Sequence, residues 1–519
     1  MTATAPTSAP APVPMAPPAA RWLGLSDWLN PIVVREVQQA LKGRAFVLSV
    51  LAACIVVVAI ALFVAGDFDP NSSGRNAFDA GLATLVPLVL FVVPMQAYQS
   101  MRHELRGGMV EQLLLSELRP RRIILGKLAA AMVQFVLYVS VLSPLLATSY
   151  LLRGVDMPAI GISLVFAALF CVAATAFAVS SAAQGVAPAM QGVANLAVAI
   201  ALALSCMGFV SYIGSGQYAR DIGSLLAGRY LGMVVSGLVL GGVASTTLSA
   251  LTAATFLAHA YENKSSGFRL FLFILVGVAF GWVAVFAPAA MRDQIFVVAT
   301  VALLIGSATF GLFMVTEQRD LSPRVRAHVP KRAAFALLAV PFLPGRDRGL
   351  LCFLLAAAVV LLLGWLTWPV GTSFLREPRE FVWFLVSYSV IYLSIGRWLR
   401  SKLPASIQGN HLGRFALPFL LFLFCILPVL VDVFIQGGAR RWHPGHAMNP
   451  FWTMRHFVFR DNGTEIRIAL SLVAALLVLL QVPALVRAAR EVLTASAVRR
   501  AAALERAAPP LDGGAGDGV

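Results

Sequence analysis

Apolar stretches about as long as a membrane-spanning helix recur along the whole chain, and short polar segments separate them. A helix needs about twenty apolar residues to cross the hydrocarbon core of a bilayer. The pattern therefore predicts an all-α fold, a polytopic membrane helix bundle of about 12 transmembrane helices. The predicted spans lie approximately at 45–64, 80–98, 128–151, 160–182, 193–213, 230–259, 270–287, 295–315, 351–370, 381–399, 415–435 and 466–486.

Composition supports a membrane protein. Of the 519 residues 59% are hydrophobic and 12% are charged, whereas soluble domains are about 45–50% apolar and about 25% charged. The net charge of +16 would suggest nucleic acid in a soluble protein, but no basic stripe with interleaved aromatics lies outside the spans. We expect basic cytoplasmic loops facing membrane lipids, and no nucleic acid.

Charge also predicts the orientation. When the N-terminus and the C-terminus are both placed in the cytoplasm, most Lys and Arg residues fall in cytoplasmic segments, as the positive-inside rule requires. We expect a multi-pass protein of a cell membrane, the inner membrane in a bacterium. The predicted domains are a disordered Ala/Pro-rich tail at 1–26, six spans within 27–270, six further spans within 271–486, and a basic cytoplasmic tail at 487–519 that becomes flexible.

The segment DWLNPIVVREVQQALKGRAF precedes the first span and predicts an amphipathic helix. Asn30 is placed to cap it, and Pro31 suits its first position. Its apolar arc carries Val33, Val37 and Leu41, and its polar arc carries Arg35, Gln38, Gln39 and Lys42. Such a helix lies in the membrane interface, either as a simple anchor of the chain or as a functional element.

The loop after the second predicted span is unusually charged. Between Arg102 and Leu128 it holds six basic and three acidic residues. Gly107-Gly108 predicts a bend, a short apolar stripe follows it, and Pro120 predicts a helix end. Mixed charge beside apolar residues suits the docking of a soluble partner; the alternative is a solvated loop with incidental charge.

These two segments resemble the start of type-2 ABC transporter permeases, and the resemblance covers about residues 28–270, including ENKSSGFR after the sixth predicted span. The first segment matches an Asn-Pro-x-x-x-Arg-Glu pattern at Asn30, Pro31, Arg35 and Glu36. The loop matches at Glu104, Gly108, Glu111, Leu113, Leu114, Pro120, Arg121, Gly126 and Lys127. It departs at Leu105, which stands where the family has Arg, and at Met109, which stands where it has Thr; an Arg follows at Arg106.

The resemblance implies a permease subunit of an exporter, moved by a separate cytoplasmic ABC ATPase subunit. It makes 100–127 the coupling loop and the Asn30–Glu36 segment an interfacial helix. A second permease subunit, identical or different, is a further implied partner. The coupling residues would be Arg102, Glu104, Arg106, Gly108, Glu111, Leu113, Leu114, Pro120, Arg121, Gly126 and Lys127.

Other chemistry is weakly supported. Gly126-Lys127 does not form a Walker A motif, because position 121 is Arg and position 128 is Leu, so we expect no ATP hydrolysis by the chain itself, no cofactor and no metal. His443 and His446 could pair on a metal, but we favour a solvated loop. The segment 271–486 contains no second copy of either motif. An ATP-independent membrane carrier or a membrane scaffold remains the alternative function.

Overall fold

The structure is a computed structural model. It describes residues 31–66, 73–109, 120–184, 191–228, 230–258, 265–289, 291–315, 320–367, 376–402, 444–459 and 464–507, with a few single positions between them. Within these ranges the regular structure is entirely helical. The helices are α1 Pro31–Lys42, α2 Arg44–Gly66, α3 Ser73–Arg106, α4 Pro120–Leu151, α5 Met157–Ala183, α6 Gln191–Gly214, α7 Gln217–Ala227, α8 Leu231–Leu257, α9 Ser266–Phe286, α10 Arg292–Val315, α11 Pro323–Arg326, α12 Ala333–Ala339, α13 Arg346–Thr367, α14 Arg376–Lys402, α15 Pro450–Phe459, α16 Thr464–Leu479 and α17 Val482–Ala507.

Ten of the described helices are long and apolar enough to cross a membrane. The number is eleven if α16 and α17, which are bent by 42° at their junction, form one broken span. The span predicted at 415–435 lies almost wholly outside the described residues. The chain therefore fits a multi-pass membrane protein, while the total of twelve spans and the cytoplasmic side of the termini stay predictions.

The first half is built around α3, α4, α5 and α6, whose facing sides share one apolar core. The helix α2 contributes Phe46 and Ala53 to this core, and its other side exposes a stripe of large apolar side chains at a spacing of three or four residues. The stripe consists of Val47, Leu51, Ile55, Val58 and Leu62. Because residues at this spacing share one helix face, the stripe fits a surface in contact with lipid.

The helix α3 changes neighbours halfway along its length. It contains a π-helical turn at Leu88–Val92, in which the N–H of Val93 donates to the carbonyl of Leu88, five residues back. Pro94 has no N–H to donate to Leu90, so the wider turn occurs where the regular ladder is already broken. Before the turn α3 packs on α4 and α6, and after it α3 packs chiefly on α5.

The second half has its own core among α9, α10, α13 and α14. A smaller cluster joins α17 to the connection between α10 and α13. It is formed by Leu321, Val325, Val329, Ala336, Val340, Leu343 and Val492. The helix α17 runs on to Ala507, so the first part of the predicted tail at 487–519 is helical and packed.

One sequence expectation in this half is wrong. His446 does not lie in a solvated loop, because it is fully buried in the 3₁₀ turn Pro444–Met448 and the centre of its ring lies 5.5 Å from that of the Trp452 ring. Its carbonyl accepts a hydrogen bond of 2.9 Å from the Thr453 hydroxyl. Over the described residues, no cluster of three or more His, Cys, Asp or Glu side chains has an arrangement that could hold a metal ion.

Candidate functional site

The amphipathic helix predicted before the first span is present as α1. It begins at Pro31 and ends at Lys42, and Gly43 separates it from α2, as the sequence predicted. It packs along α4, with Gln38 and Gln39 exposed. The feature that the pattern did not predict is Glu36, which lies on the side of α1 that faces the protein and is 4% exposed.

Glu36 belongs to a group of two acidic and two basic side chains, all buried except Arg35, which we name the four-charge cluster: Arg35, Glu36, Glu104 and Lys127. Lys127 Nζ donates to Glu36 Oε2 at 2.9 Å and lies 3.0 Å from Glu104 Oε2. Arg35 Nη2 donates to Glu36 Oε1 and to Glu104 Oε1, each at 3.0 Å. The Ser100 hydroxyl accepts a further bond of 2.9 Å from Lys127. The cluster thus ties α1 to the end of α3 and to the start of α4.

Burial makes this cluster energetically sensitive. The side chain of Lys127 is 1% exposed and that of Glu104 is 2% exposed. Burial opposes the charge of Glu36, but the Lys127 ammonium and the Arg35 guanidinium outweigh it and hold the pKa of Glu36 below its usual value. Removing one partner of a buried ion pair typically lowers the free energy of unfolding by about 3–5 kcal/mol, because the remaining charge is left without compensation.

A cavity of about 470 Å³ adjoins the cluster, between α1, α3, α4 and α6. One end of its wall is basic and the other end is lined by amides. The side chains that matter are Arg102, His103 and Arg106 at the basic end, Gln96 and Gln134 at the amide end, and Tyr98 and Asn195 beside them. Gln134 Nε2 donates to Gln96 Oε1 at 2.9 Å, and the Tyr98 hydroxyl donates to Asn195 Oδ1 at 2.7 Å.

The structure places the predicted coupling residues in different surroundings. Glu104 and Lys127 meet Arg35 and Glu36 of the predicted interfacial helix in the four-charge cluster, and Arg102 and Arg106 line the cavity. Gly108 has a positive φ of 68° just after α3 ends, and Pro120 is the first residue of α4. Arg121 is exposed and Gly126 is buried. Outside the described residues lie Asn30, Glu111, Leu113 and Leu114.

This placement narrows the predicted coupling loop. Residues 100–106 belong to α3 and residues 120–127 belong to α4, so the connection between the two helices is 107–119 rather than 100–127. Glu104 and Lys127 face α1 and not the surrounding solvent. They therefore lie at the two ends of the connection and hold those ends next to α1.

A second buried charge group, which sequence reasoning missed, lies in the other half; we name it the Arg269 cluster, formed by Arg269, Glu317, Arg348 and Glu491. Arg269 is 0% exposed. Its Nη1 donates to the carbonyls of Pro341 and Leu343 at 3.0 and 2.6 Å. Its Nη2 donates to Glu317 Oε2 at 2.7 Å. The start of α9 is thus fixed to the end of α10 and to the connection before α13.

The other half of this cluster is centred on Glu491 in α17. Its Oε2 accepts from Arg348 Nη1 at 3.0 Å, and its Oε1 accepts from Arg326 Nη2 at 2.9 Å and from the backbone N–H of Leu321 at 3.2 Å. One carboxylate therefore holds α17 against α11 and α13. The partners are 165 and 143 residues apart in the sequence for the two arginines, and no local pattern could have indicated them.

No protein-family model, no curated protein and no solved structure matches this chain.

Proposed function

We propose that the chain is the membrane-spanning permease subunit of an ABC-type exporter, driven by a separate cytoplasmic ATPase subunit that docks on the connection 107–119. A second permease subunit, identical or different, completes the exporter, and the membrane is the inner membrane of a bacterium. The observation that carries the proposal is the four-charge cluster, because it joins three helices at the two ends of that connection.

The cluster gives the connection a mechanical role in this proposal. A force on 107–119 acts on the last residues of α3 and the first residues of α4, which are held to each other and to α1 through Glu104, Lys127 and Glu36. Buried ion pairs in a low-dielectric surrounding resist separation. The three helix ends would then move together, and the tilt would pass to the spans that pack on them.

Retention of the ATPase tests the proposal. The full chain is purified from its native membranes in mild detergent, and co-purifying proteins with a Walker A motif are identified by mass spectrometry. We expect such a subunit with the native chain, and its loss with Glu111→Lys, which reverses a charge within the connection. The matched control is Asp320→Lys, which makes the same charge change at an exposed position between α10 and α11.

The alternative function predicts a different result. An ATP-independent carrier or a scaffold would retain no Walker-containing subunit, or would retain it equally with Glu111→Lys and with Asp320→Lys. Either result would remove the docking role of 107–119, although it would leave the fold and the four-charge cluster unchanged.

A further inference from the structure

Arg102 is a buried cation that pairs with no carboxylate among the described residues. It is 7% exposed, it lines the cavity, and within the described part of the chain neither its Nε nor its Nη2 has a hydrogen-bond partner. Its guanidinium lies 5.8 Å from the centre of the Tyr98 ring, which supplies a cation–π contact but accepts neither of those N–H bonds. A buried arginine normally has its donors satisfied, so this one has two donors open to an acceptor that the described residues do not supply.

The two described carboxylates nearest to it, Glu36 and Glu104, do not supply that acceptor. Both oxygens of Glu36 and both oxygens of Glu104 are already within 3.0 Å of Arg35 or Lys127. Arg106, which also lines the cavity, donates to the neutral amide of Gln191. The cavity wall therefore carries more positive than negative charge.

The free donors define the chemistry of the missing group. The N–H bonds of Nε and Nη2 run parallel along one edge of a guanidinium, and this edge can donate to two oxygens of one phosphate or carboxylate. Gln96 Nε2, at the amide end of the cavity, is a further buried donor that has no partner among the residues that the structure describes. All three unsatisfied atoms are donors, so the complementary group is an oxyanion.

Position favours a phosphate group. Gln96 and Arg106 are ten positions apart on one helix, which corresponds to about 15 Å along the cavity, so the cavity has room for a phosphate alone or for a phosphate within a headgroup. The basic end lies at the end of α3, where a span meets the headgroup region, and basic pockets between spans bind lipid headgroups. We propose that this cavity binds a phosphate group, carried by a membrane phospholipid or free in solution, and that Arg102 makes the main contact with it.

The experiment compares ligands that differ in the phosphate. The full chain is purified, stripped of lipid in detergent, and its thermal unfolding is measured with dioctanoyl phosphatidylglycerol, with dioctanoylglycerol or with inorganic phosphate, while native mass spectrometry records bound ligand. We expect phosphatidylglycerol to raise the unfolding temperature and dioctanoylglycerol to leave it unchanged. Equal stabilisation by inorganic phosphate would identify the free ion as the ligand, and no effect of it would identify the lipid headgroup.

The variant Arg102→Gln distinguishes a binding role of Arg102 from a structural role, because the two roles predict opposite changes in stability without lipid. Without lipid we expect it to be at least as stable as the native chain, because it removes an uncompensated buried charge. With phosphatidylglycerol we expect binding at least about tenfold weaker, which corresponds to losing one charge-assisted hydrogen-bonded contact. Arg122→Gln, at an exposed position in the first turn of α4, is the matched control and should bind as the native chain does.

Two results would overturn the proposal. If Arg102→Gln is less stable than the native chain without lipid, or does not fold, then Arg102 is a structural residue. The variant Arg102→Lys keeps the charge but not the two parallel N–H donors of the guanidinium. If it binds phosphatidylglycerol as tightly as the native chain, then these two donors do not bind the phosphate. The inference does not depend on whether an ATPase docks at 107–119.

Discussion

The two buried charge groups hold their surroundings in different ways. In the Arg269 cluster the arginine reaches backbone carbonyls as well as a carboxylate, including those of Pro341, Leu343 and Gly345. In the four-charge cluster the described hydrogen bonds of Lys127 and Glu104 go to side chains only. The first group fixes the path of a connection, whereas the second joins three helix ends that could otherwise move independently.

This difference indicates separate roles for the two halves. A guanidinium bound to backbone carbonyls cannot exchange partners without local unfolding of the chain that carries them. Side-chain ion pairs can exchange when a helix end shifts by a few ångströms. We therefore expect the second half to behave as a fixed frame and the region around α1, α3 and α4 to be the part that responds to a partner or a ligand.

The largest effect should come from breaking the Arg269 cluster. Arg269→Gln removes a fully buried charge with several acceptors and leaves Glu317 without its main partner. We expect a loss of about 3–5 kcal/mol in the free energy of unfolding, measured by thermal unfolding in detergent and by the yield of folded protein. The control is Arg324→Gln at an exposed position. A loss below about 1 kcal/mol would contradict the role of the cluster as a fixed frame.

A slightly smaller effect should follow from Lys127→Met. It leaves Glu36 and Glu104 with only Arg35, whose side chain is 38% exposed, and we expect a loss of about 3 kcal/mol. Adding Glu104→Gln should restore part of that loss, with a coupling of about 1–3 kcal/mol. Strict additivity of the two substitutions would show that the cluster does not act as a unit. The control Lys42→Met, at an exposed position on α1, should leave the free energy of unfolding unchanged.

An intermediate effect is expected for Glu491→Gln. The amide keeps one acceptor for the Leu321 N–H but loses the charge that holds Arg348 and Arg326. Because the side chain of Glu491 is 26% exposed, we expect a loss of about 1–2 kcal/mol. Hydrogen exchange should show the opening confined to α17 and the connection 321–343. Equal opening around α1 would contradict the independence of the two clusters.

The smallest effect is expected for Arg35→Gln. Arg35 is the most exposed member of the four-charge cluster, so water can replace it at Glu36 and Glu104. We expect a loss of about 0.5–1 kcal/mol, which should shrink further in high salt. A loss as large as that of Lys127→Met would mean that the cluster is closed to water from the side of α1.

Hydropathy predicted the existence of the long helices but not their ends. The second span was predicted to begin at 80, yet α3 begins at Ser73, where a Cβ on Gly154 would lie only 2.1 Å from the Gly74 carbonyl carbon. The close packing of Gly74 on Gly154 stabilises the polar first turns of α3. A hydropathy scale cannot detect this contact. The ends at 106 and 120 were missed for the related reason that charged residues can continue a helix.

Part of the candidate site was accessible from the sequence. Pro31 and Gly43 marked the limits of α1 because both act through the local backbone. The position of Glu36 also indicates a contact, since a carboxylate on the inward side of an amphipathic helix requires a buried partner. Its partner Lys127 is 91 residues away, and such pairings depend on how the helices assemble.

The π-helical turn in α3 has a consequence for everything that follows it on that helix. Each residue inserted into an α-helix rotates the remainder by about 100° around the axis. The azimuth of Glu104 and Arg102 is therefore set by Leu88–Val92, more than two turns away along α3. If that turn tightened into regular α-helix, the Glu104 carboxylate would rotate out of reach of Lys127, and the Arg102 guanidinium would leave the cavity in the same rotation. One local change in α3 would therefore break the four-charge cluster and remove the main phosphate contact together.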